Sequence, residues 1–173
     1  MHFDPTPCAL RRAFLTLLAS AGTARWSVAP AAQTPPPVLK VVATFSVLAD
    51  IAREVGGPAV EVTALVGPNA DAHVFEPTPS DVRRVASADV VVTNGLRYEG
   101  WIDRLIKASG FRGPVVVASQ GVVTRGVSGG ADPHAWQSLA NGQRYAENIR
   151  AVLVAALSAR APARVAEVEA RAA

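Results

Sequence analysis

Two histidines carry the most chemistry in this sequence. Apart from His2, the 173 residues contain only His73 and His134. His73 lies in Asn69-Ala70-Asp71-Ala72-His73-Val74-Phe75-Glu76-Pro77, after an apolar run over residues 60–66. His134 lies in Ala131-Asp132-Pro133-His134-Ala135-Trp136, after the apolar run Val115-Val116-Val117-Ala118. Imidazole is neutral near pH 7 and offers a lone pair, which makes it the commonest metal ligand. Each histidine sits just past a strand-like run, and open parallel sheets bind ligands beyond the carboxyl ends of their strands. The placement predicts that His73 and His134 meet at one sheet edge as half of a metal site. Sharing one zinc ion requires their ligating nitrogens to lie about 3.3 Å apart, given ~2.05 Å bonds and tetrahedral angles.

The neighbours of the histidines have assignable roles. Pro133 fixes the backbone before His134, and Asp132 can accept a bond from a nearby N–H. Trp136 is expected to pack beneath that loop and exclude water. Asp71 reads as a turn acid, Glu76 as a solvated loop acid and Trp101 as core. Arg97 and Tyr98 fall at the same sheet edge as the histidines. Gly126-Val127-Ser128-Gly129-Gly130 matches the G-x-S-x-G pattern of a hydrolase nucleophile. That chemistry needs a sharp strand-to-helix turn, and here neither strand nor helix flanks Ser128. Asp132 and His134 also follow it too closely to form separate triad loops. No P-loop or G-x-G-x-x-G is present.

The elements that must position these residues follow from hydrophobic periodicity. Residues 38–45 form an apolar, β-branched strand. Ser46 can cap a helix whose apolar residues Val47, Leu48, Ile51 and Val55 share a face, and Gly56-Gly57-Pro58 stops it. Residues 60–66 are a second strand. Thr78-Pro79-Ser80-Asp81 is a helix start, with a capping hydroxyl, proline at the first helical position and an acid in the first turn. Residues 89–95 form a third strand, 99–109 a helix and 114–119 a fourth strand. Residues 121–130 read as a flexible glycine-rich loop. From Leu139 a long helix begins, with Leu139, Tyr145, Ile149, Val152, Leu153, Ala156 and Leu157 on one broad face. Pro162 kinks it or starts another helix. Strands that alternate with helices and lack clean polar alternation predict an α/β fold, a four-stranded parallel sheet with helices on both faces.

Composition bounds the setting. The chain is 50% hydrophobic and 18% charged, which fits one globular domain, or one and a piece. Residues 1–31 read as an export signal peptide: Arg11 and Arg12, a short apolar stretch over residues 13–22, and a cleavage signal at Ala29-Pro30-Ala31. The paired arginines also fit twin-arginine export. The apolar stretch is well short of the ~20 residues of a spanning helix. Residues 32–37 form a proline-rich spacer. Cleavage removes three of the 17 basic and one of the 14 acidic residues, so the net charge falls from +3 to +1. Neither that charge nor any basic stripe points to nucleic acid. Cys8 leaves with the leader, so no disulfide or thiol chemistry is expected of the mature chain.

Taken together, several motifs resemble one family. These are Val42-Ala43-Thr44-Phe45-Ser46-Val47-Leu48-Ala49-Asp50-Ile51; Asp71-Ala72-His73 with Phe75-Glu76-Pro77-Thr78-Pro79-Ser80-Asp81; Asn94-Gly95-Leu96 with Glu99-Gly100-Trp101; and Asp132-Pro133-His134-Ala135-Trp136. In this order they are similar to the periplasmic solute-binding proteins of zinc and manganese ATP-binding-cassette importers, the metal-binding cluster A-I family. The likeness spans nearly all of residues 38–173.

The resemblance implies two lobes joined by one long helix, with a transported Zn2+ or Mn2+ held between them. It makes residues 38–137 the N-terminal metal-binding lobe and 138–173 the start of the interlobe helix. His73 and His134 would be the first lobe's ligands. A histidine or glutamate and an aspartate would come from a second lobe, whose positions Glu167 and Glu169 do not match. The chain therefore reads as truncated after the first lobe. That leaves a weaker two-histidine site and an apolar helix face that the second lobe would cover. Residues 121–130 lack the histidines of many zinc-type relatives, which tilts the reading toward manganese or a zinc binder without that loop.

The expectation is a periplasmic, monomeric binding protein, not an enzyme, which delivers its ion to a membrane permease. The alternative is a metal-dependent hydrolase using the same two histidines with Glu76 as base. A surface adhesion role is allowed by the resemblance, though no residue here points to it.

Overall fold

A computed structural model of the chain describes residues 1–2, 38–127 and 130–171. The expected signal peptide, its cleavage point, Cys8, the proline spacer and Ser128 lie outside the described residues. The chain divides into two units, Met1–Gln33 and Thr34–Ala173. The described secondary structure belongs to the second. Among the described residues no helix is long and apolar enough to cross a membrane.

The elements run β1 (Leu39–Phe45), α1 (Ser46–Gly56), β2 (Val60–Val66), α2 (Pro79–Ala86), β3 (Val90–Thr93), α3 (Ile102–Ser109) and β4 (Val115–Val117). A hairpin of β5 (Gly126–Val127) and β6 (Gly130–Ala131) follows, then α4 (Leu139–Arg160) and α5 (Val165–Ala170). Strands β1 to β4 make one parallel sheet in the order β2-β1-β3-β4. Leu39 pairs with Val60, Val41 with Val90 and Val91 with Val115. The interior strands are buried on both faces: every residue of β3, and all of β1 but Lys40. The edge strands β2 and β4 alternate, because one of their faces is only partly covered. Helices α2 and α3 pack together, as do α1 and α4. For the strand order β2-β1-β3-β4, the right-handed crossover rule places α1 on the opposite face from α2 and α3. The expected α/β architecture is the observed one.

Local differences from the sequence reading have physical causes. Ser46 does not cap α1. Extended Phe45 holds the cap position with no side-chain bond, and Ser46 is already helical. Helix α3 starts at Ile102 and not at Glu99, whose carboxylate turns back to accept the Asn94 and Gly95 N–H groups and the Thr44 hydroxyl. The turn before it is left-handed, with φ of 80°, 53° and 61° at Gly95, Leu96 and Arg97. The stretch expected to be a loop holds strand pairing instead, Gly126 with Ala131 and Val127 with Gly130, which the Asp132 N–H extends by donating to the Arg125 carbonyl at 2.9 Å. Pro162 opens a 3-10 turn that leads into α5.

The apolar face of α4 is not left bare. Tyr145, Ile149, Leu153 and Leu157 are fully buried within this unit, Val152 is half-buried, and Leu139 is 86% exposed. The i, i+4, i+8 and i+12 spacing of those four puts one stripe against the core. Burial of each aliphatic side chain stabilises the fold by about 1.5–3 kcal/mol.

The expected start of α2 is realised in full. Thr78 Oγ1 accepts the Asp81 N–H at 3.4 Å, and Asp81 Oδ2 accepts the Thr78 N–H at 2.8 Å. Burial alone would raise the Asp81 pKa. The N–H and hydroxyl of Thr78 and the Arg84 guanidinium outweigh it and hold the carboxyl below its ordinary range. This capping box ends the loop that carries His73.

Candidate metal centre

The His73 loop is built from short-range bonds. Asp71 Oδ1 accepts the His73 N–H at 2.8 Å, an Asx turn two residues long. On the far side, Trp101 Nε1 donates to the Ala72 carbonyl at 2.7 Å. Trp101 is core, as expected, and its ring packs edge-on against Phe75 with centroids 4.9 Å apart. The backbone on the N-terminal side of His73 is therefore pinned by a carboxylate and an indole, while the imidazole is exposed.

The His134 loop repeats the Asx turn and adds to it. Asp132 Oδ1 accepts the His134 N–H at 3.0 Å and lies 2.9 Å from its ring Nδ1. Those two bonds from His134, backbone and then ring, hold the Asp132 carboxyl below its ordinary pKa. An ionised carboxylate can only accept, so Nδ1 carries the proton and Nε2 presents its lone pair. This is the bond expected of Asp132 from the sequence. Asn94 Nδ2 donates to the Pro133 carbonyl at 3.0 Å and fixes the peptide just before His134.

The two rings meet. His73 Nε2 lies 3.2 Å from His134 Nε2, close to the spacing of about 3.3 Å set by two bonds to one tetrahedral ion. The same distance suits an N–H···N bond from His73 to His134 when no ion intervenes. An aromatic floor supports the pair. Tyr98 stands edge-on to His73 and His134, with centroids at 4.3 and 5.6 Å. Trp136 lies 5.4 Å from the His134 ring and 4.9 Å from both Phe45 and Tyr98. Trp136 therefore packs beneath the loop as expected.

Of the pair Arg97 and Tyr98, only Tyr98 touches the histidines; Arg97 is exposed and bonds to neither. Burial first, then the negative charges of Asp71 and Glu99, push the Tyr98 phenol up and keep it protonated. Glu76, the base required by the hydrolase reading, is exposed. Among the described residues no third histidine, cysteine, aspartate or glutamate is placed to share an ion with the two imidazoles. What converges there is two nitrogen donors, one of them bonded through its other ring nitrogen to Asp132.

Below the histidines lies a polar layer that pattern reading missed. Glu99 is buried; its Oε1 accepts the Thr44 hydroxyl at 2.5 Å and the Asn94 N–H at 2.6 Å, and its Oε2 accepts the Gly95 N–H at 3.3 Å. Burial raises its pKa, and those donors only partly offset the rise. The one sequence signal for this layer is Asn94-Gly95, a turn dipeptide. Nothing in the pattern marks Glu99 as buried.

The chain is similar to known proteins over most of its length. A family model described as zinc-uptake complex component A, periplasmic (ZnuA), matches residues 41–173. The iron-binding protein YfeA of Yersinia pestis is 33% identical over 152 residues, 82% of this chain and 46% of that protein. The manganese ABC transporter substrate-binding lipoprotein PsaA of Streptococcus pneumoniae is 37% identical over 128 residues, 68% of this chain and 41% of that one. The solved structure of a periplasmic metal binding protein from Candidatus Liberibacter asiaticus superposes with a TM-score of 0.67 at 31% identity, over 78% of this chain and 50% of that one. The chain thus spans about half the length of these relatives or less. With three-quarters of its length matched by the family model, the chain belongs to the family of the periplasmic component A of zinc-uptake complexes.

Proposed function

We propose that the chain forms the first lobe, residues 38–137, and the start of the interlobe connection, residues 138–173 with α4 as its long helix, of a receptor for a divalent metal ion. The receptor works outside the cytoplasm, as a monomer, and hands zinc or manganese to the permease of an ATP-binding-cassette importer. It is a binding protein and not an enzyme. His73 and His134 are the lobe's two ligands. One observation supports this above all: two imidazole nitrogens lie 3.2 Å apart beyond the carboxyl ends of a parallel sheet. The Asp132 bond to His134 Nδ1 supports it further, since metal-bound histidines are oriented by such partners.

Two nitrogen ligands leave the remaining coordination positions to water or to other groups. In the proposed whole protein those groups come from a second lobe, and this lobe alone binds more weakly. The ion is the cargo, so it must also leave; a site split between lobes lets opening lower the affinity. The test is thermal unfolding of this chain with Zn2+ or Mn2+ added. An ion present at 100 times its dissociation constant stabilises the fold by about 2.7 kcal/mol. An unchanged midpoint with both ions, at millimolar concentration, contradicts the proposal.

A further inference from the structure

Asn94 is fully buried under the histidines, where β3 ends. Its side-chain oxygen accepts the Tyr145 hydroxyl at 2.7 Å, from the second turn of α4. Its side-chain nitrogen donates to the carbonyls of Gly95 and Pro133, each at 3.0 Å. Its backbone N–H goes to Glu99 and its carbonyl accepts the Ser119 N–H at 3.2 Å. One residue therefore ties together the end of β3, the segment after β4, helix α4 and the histidine loop.

The side-chain type is specified by this arrangement. A neutral carboxamide can accept from a phenol on one side and donate to two carbonyls on the other. An aspartate would lack the donors, and a leucine of similar size would leave the Tyr145 hydroxyl and two carbonyls without these partners. Burial, and then the charge of Glu99, push the Tyr145 hydroxyl up to about 12, so it remains a donor. The Pro133 carbonyl belongs to the same planar peptide as the His134 N–H. Holding that oxygen aims the N–H at Asp132, and the ring bond to Asp132 follows from the same orientation.

We infer that Asn94 is a positioning residue for His134, and that through it the Tyr145 hydroxyl couples the seating of helix α4 to the geometry and metal affinity of the site. This rests on His134 being a ligand, as proposed above. A shift or rotation of α4 would be felt at His134 and much less at His73, whose anchors are Asp71 and Trp101.

The experiment compares Tyr145→Phe, which removes only the hydroxyl, with Ile149→Val on the same helix. Ile149 is buried and lies one turn further along, outside this hydrogen-bond layer. Zinc affinity is read by competition with a chelating dye, and ring nitrogen resonances by NMR of the metal-free protein. Tyr145→Phe is expected to weaken zinc binding about fivefold, the worth of one neutral hydrogen bond. It should also displace the His134 ring resonances more than those of His73. Ile149→Val should lower stability and leave both readouts unchanged. If Tyr145→Phe loses stability yet keeps wild-type affinity and resonances, Asn94 is structural only and the inference is overturned. If the wild type binds neither zinc nor manganese, the proposed function fails. The metal-free resonances then still decide whether Tyr145 and Asn94 position His134.

Discussion

The His73 loop and the His134 loop share a three-residue plan but are anchored by different means. In Asp71-Ala72-His73 and in Asp132-Pro133-His134, the aspartate accepts the N–H of the histidine two residues on. Beyond that the loops diverge. The His73 loop is held by an indole on the carbonyl of Ala72 and is closed by the Thr78–Asp81 capping box. Its anchors are a local turn, a helix cap and one long-range bond from a core residue. The His134 loop is held by the buried layer of Asn94, Glu99, Thr44 and Tyr145, drawn from β1, α4 and the turn after β3. Its ring is also oriented by Asp132, whereas Asp71 engages only the backbone of His73. The two donors therefore differ in preparation. In the proposed metal site the lone pair of His134 is set in advance by Asp132, and the exposed His73 ring has more freedom to adjust.

The largest expected effect erases the comparison. His73→Ala or His134→Ala should each abolish metal-dependent thermal stabilisation, a loss of about 2.7 kcal/mol at a hundredfold excess of ion over its dissociation constant. Variants that respond to zinc and manganese like the wild type would show that the imidazoles are not the ligands. Next, Asp132→Ala should weaken metal binding about tenfold, because it frees the ring as well as the backbone. Asp71→Ala should cost distinctly less, about threefold, since the Trp101 bond remains. Equal losses measured by titration would mean that ring orientation by Asp132 is unimportant.

A smaller effect separates the anchors from the site itself. Thr78→Ala should lower stability by about 1 kcal/mol through the lost cap. Denaturant unfolding measures it, and zinc affinity should change little, because the Asp71 and Trp101 bonds still hold His73. The smallest effect is a pH dependence from beneath His134. The folded-state pKa of Glu99 is raised above its ordinary 4.5, chiefly by burial. A carboxyl of that kind favours the folded state most below the ordinary value, and the contribution is lost as pH rises through the raised one. Glu99→Gln should flatten this segment of the stability-against-pH curve, measured by denaturant unfolding from about pH 4 upward. A variant curve parallel to the wild type's would show that Glu99 does not titrate in that window.

Local and periodic features were legible in the residues themselves. Four apolar runs separated by amphipathic ones dictate a parallel sheet, since only helices covering both faces allow interior strands such as β3 to be buried throughout. Thr78-Pro79-Ser80-Asp81 carries its own helix start. Each aspartate two positions before a histidine carries its own turn. These features depend on residues within a few positions of one another, so sequence alone determines them.

The approach of the two imidazoles is a different matter. In the order β2-β1-β3-β4, the strands preceding the two loops are the opposite edges of the sheet. At about 4.8 Å per strand those edges stand roughly 14 Å apart. The loops must fold inward over the ends of β1 and β3 to bring the nitrogens to 3.2 Å. That closure depends on Trp101, Tyr98, Asn94, Glu99 and Tyr145, which are remote in sequence from one or both histidines and carry no shared periodicity. Sequence fixed the kind of atoms available and the side of the sheet they face. Only the packed core decided that they meet, because long-range contacts between buried side chains, not local propensity, set where each loop ends.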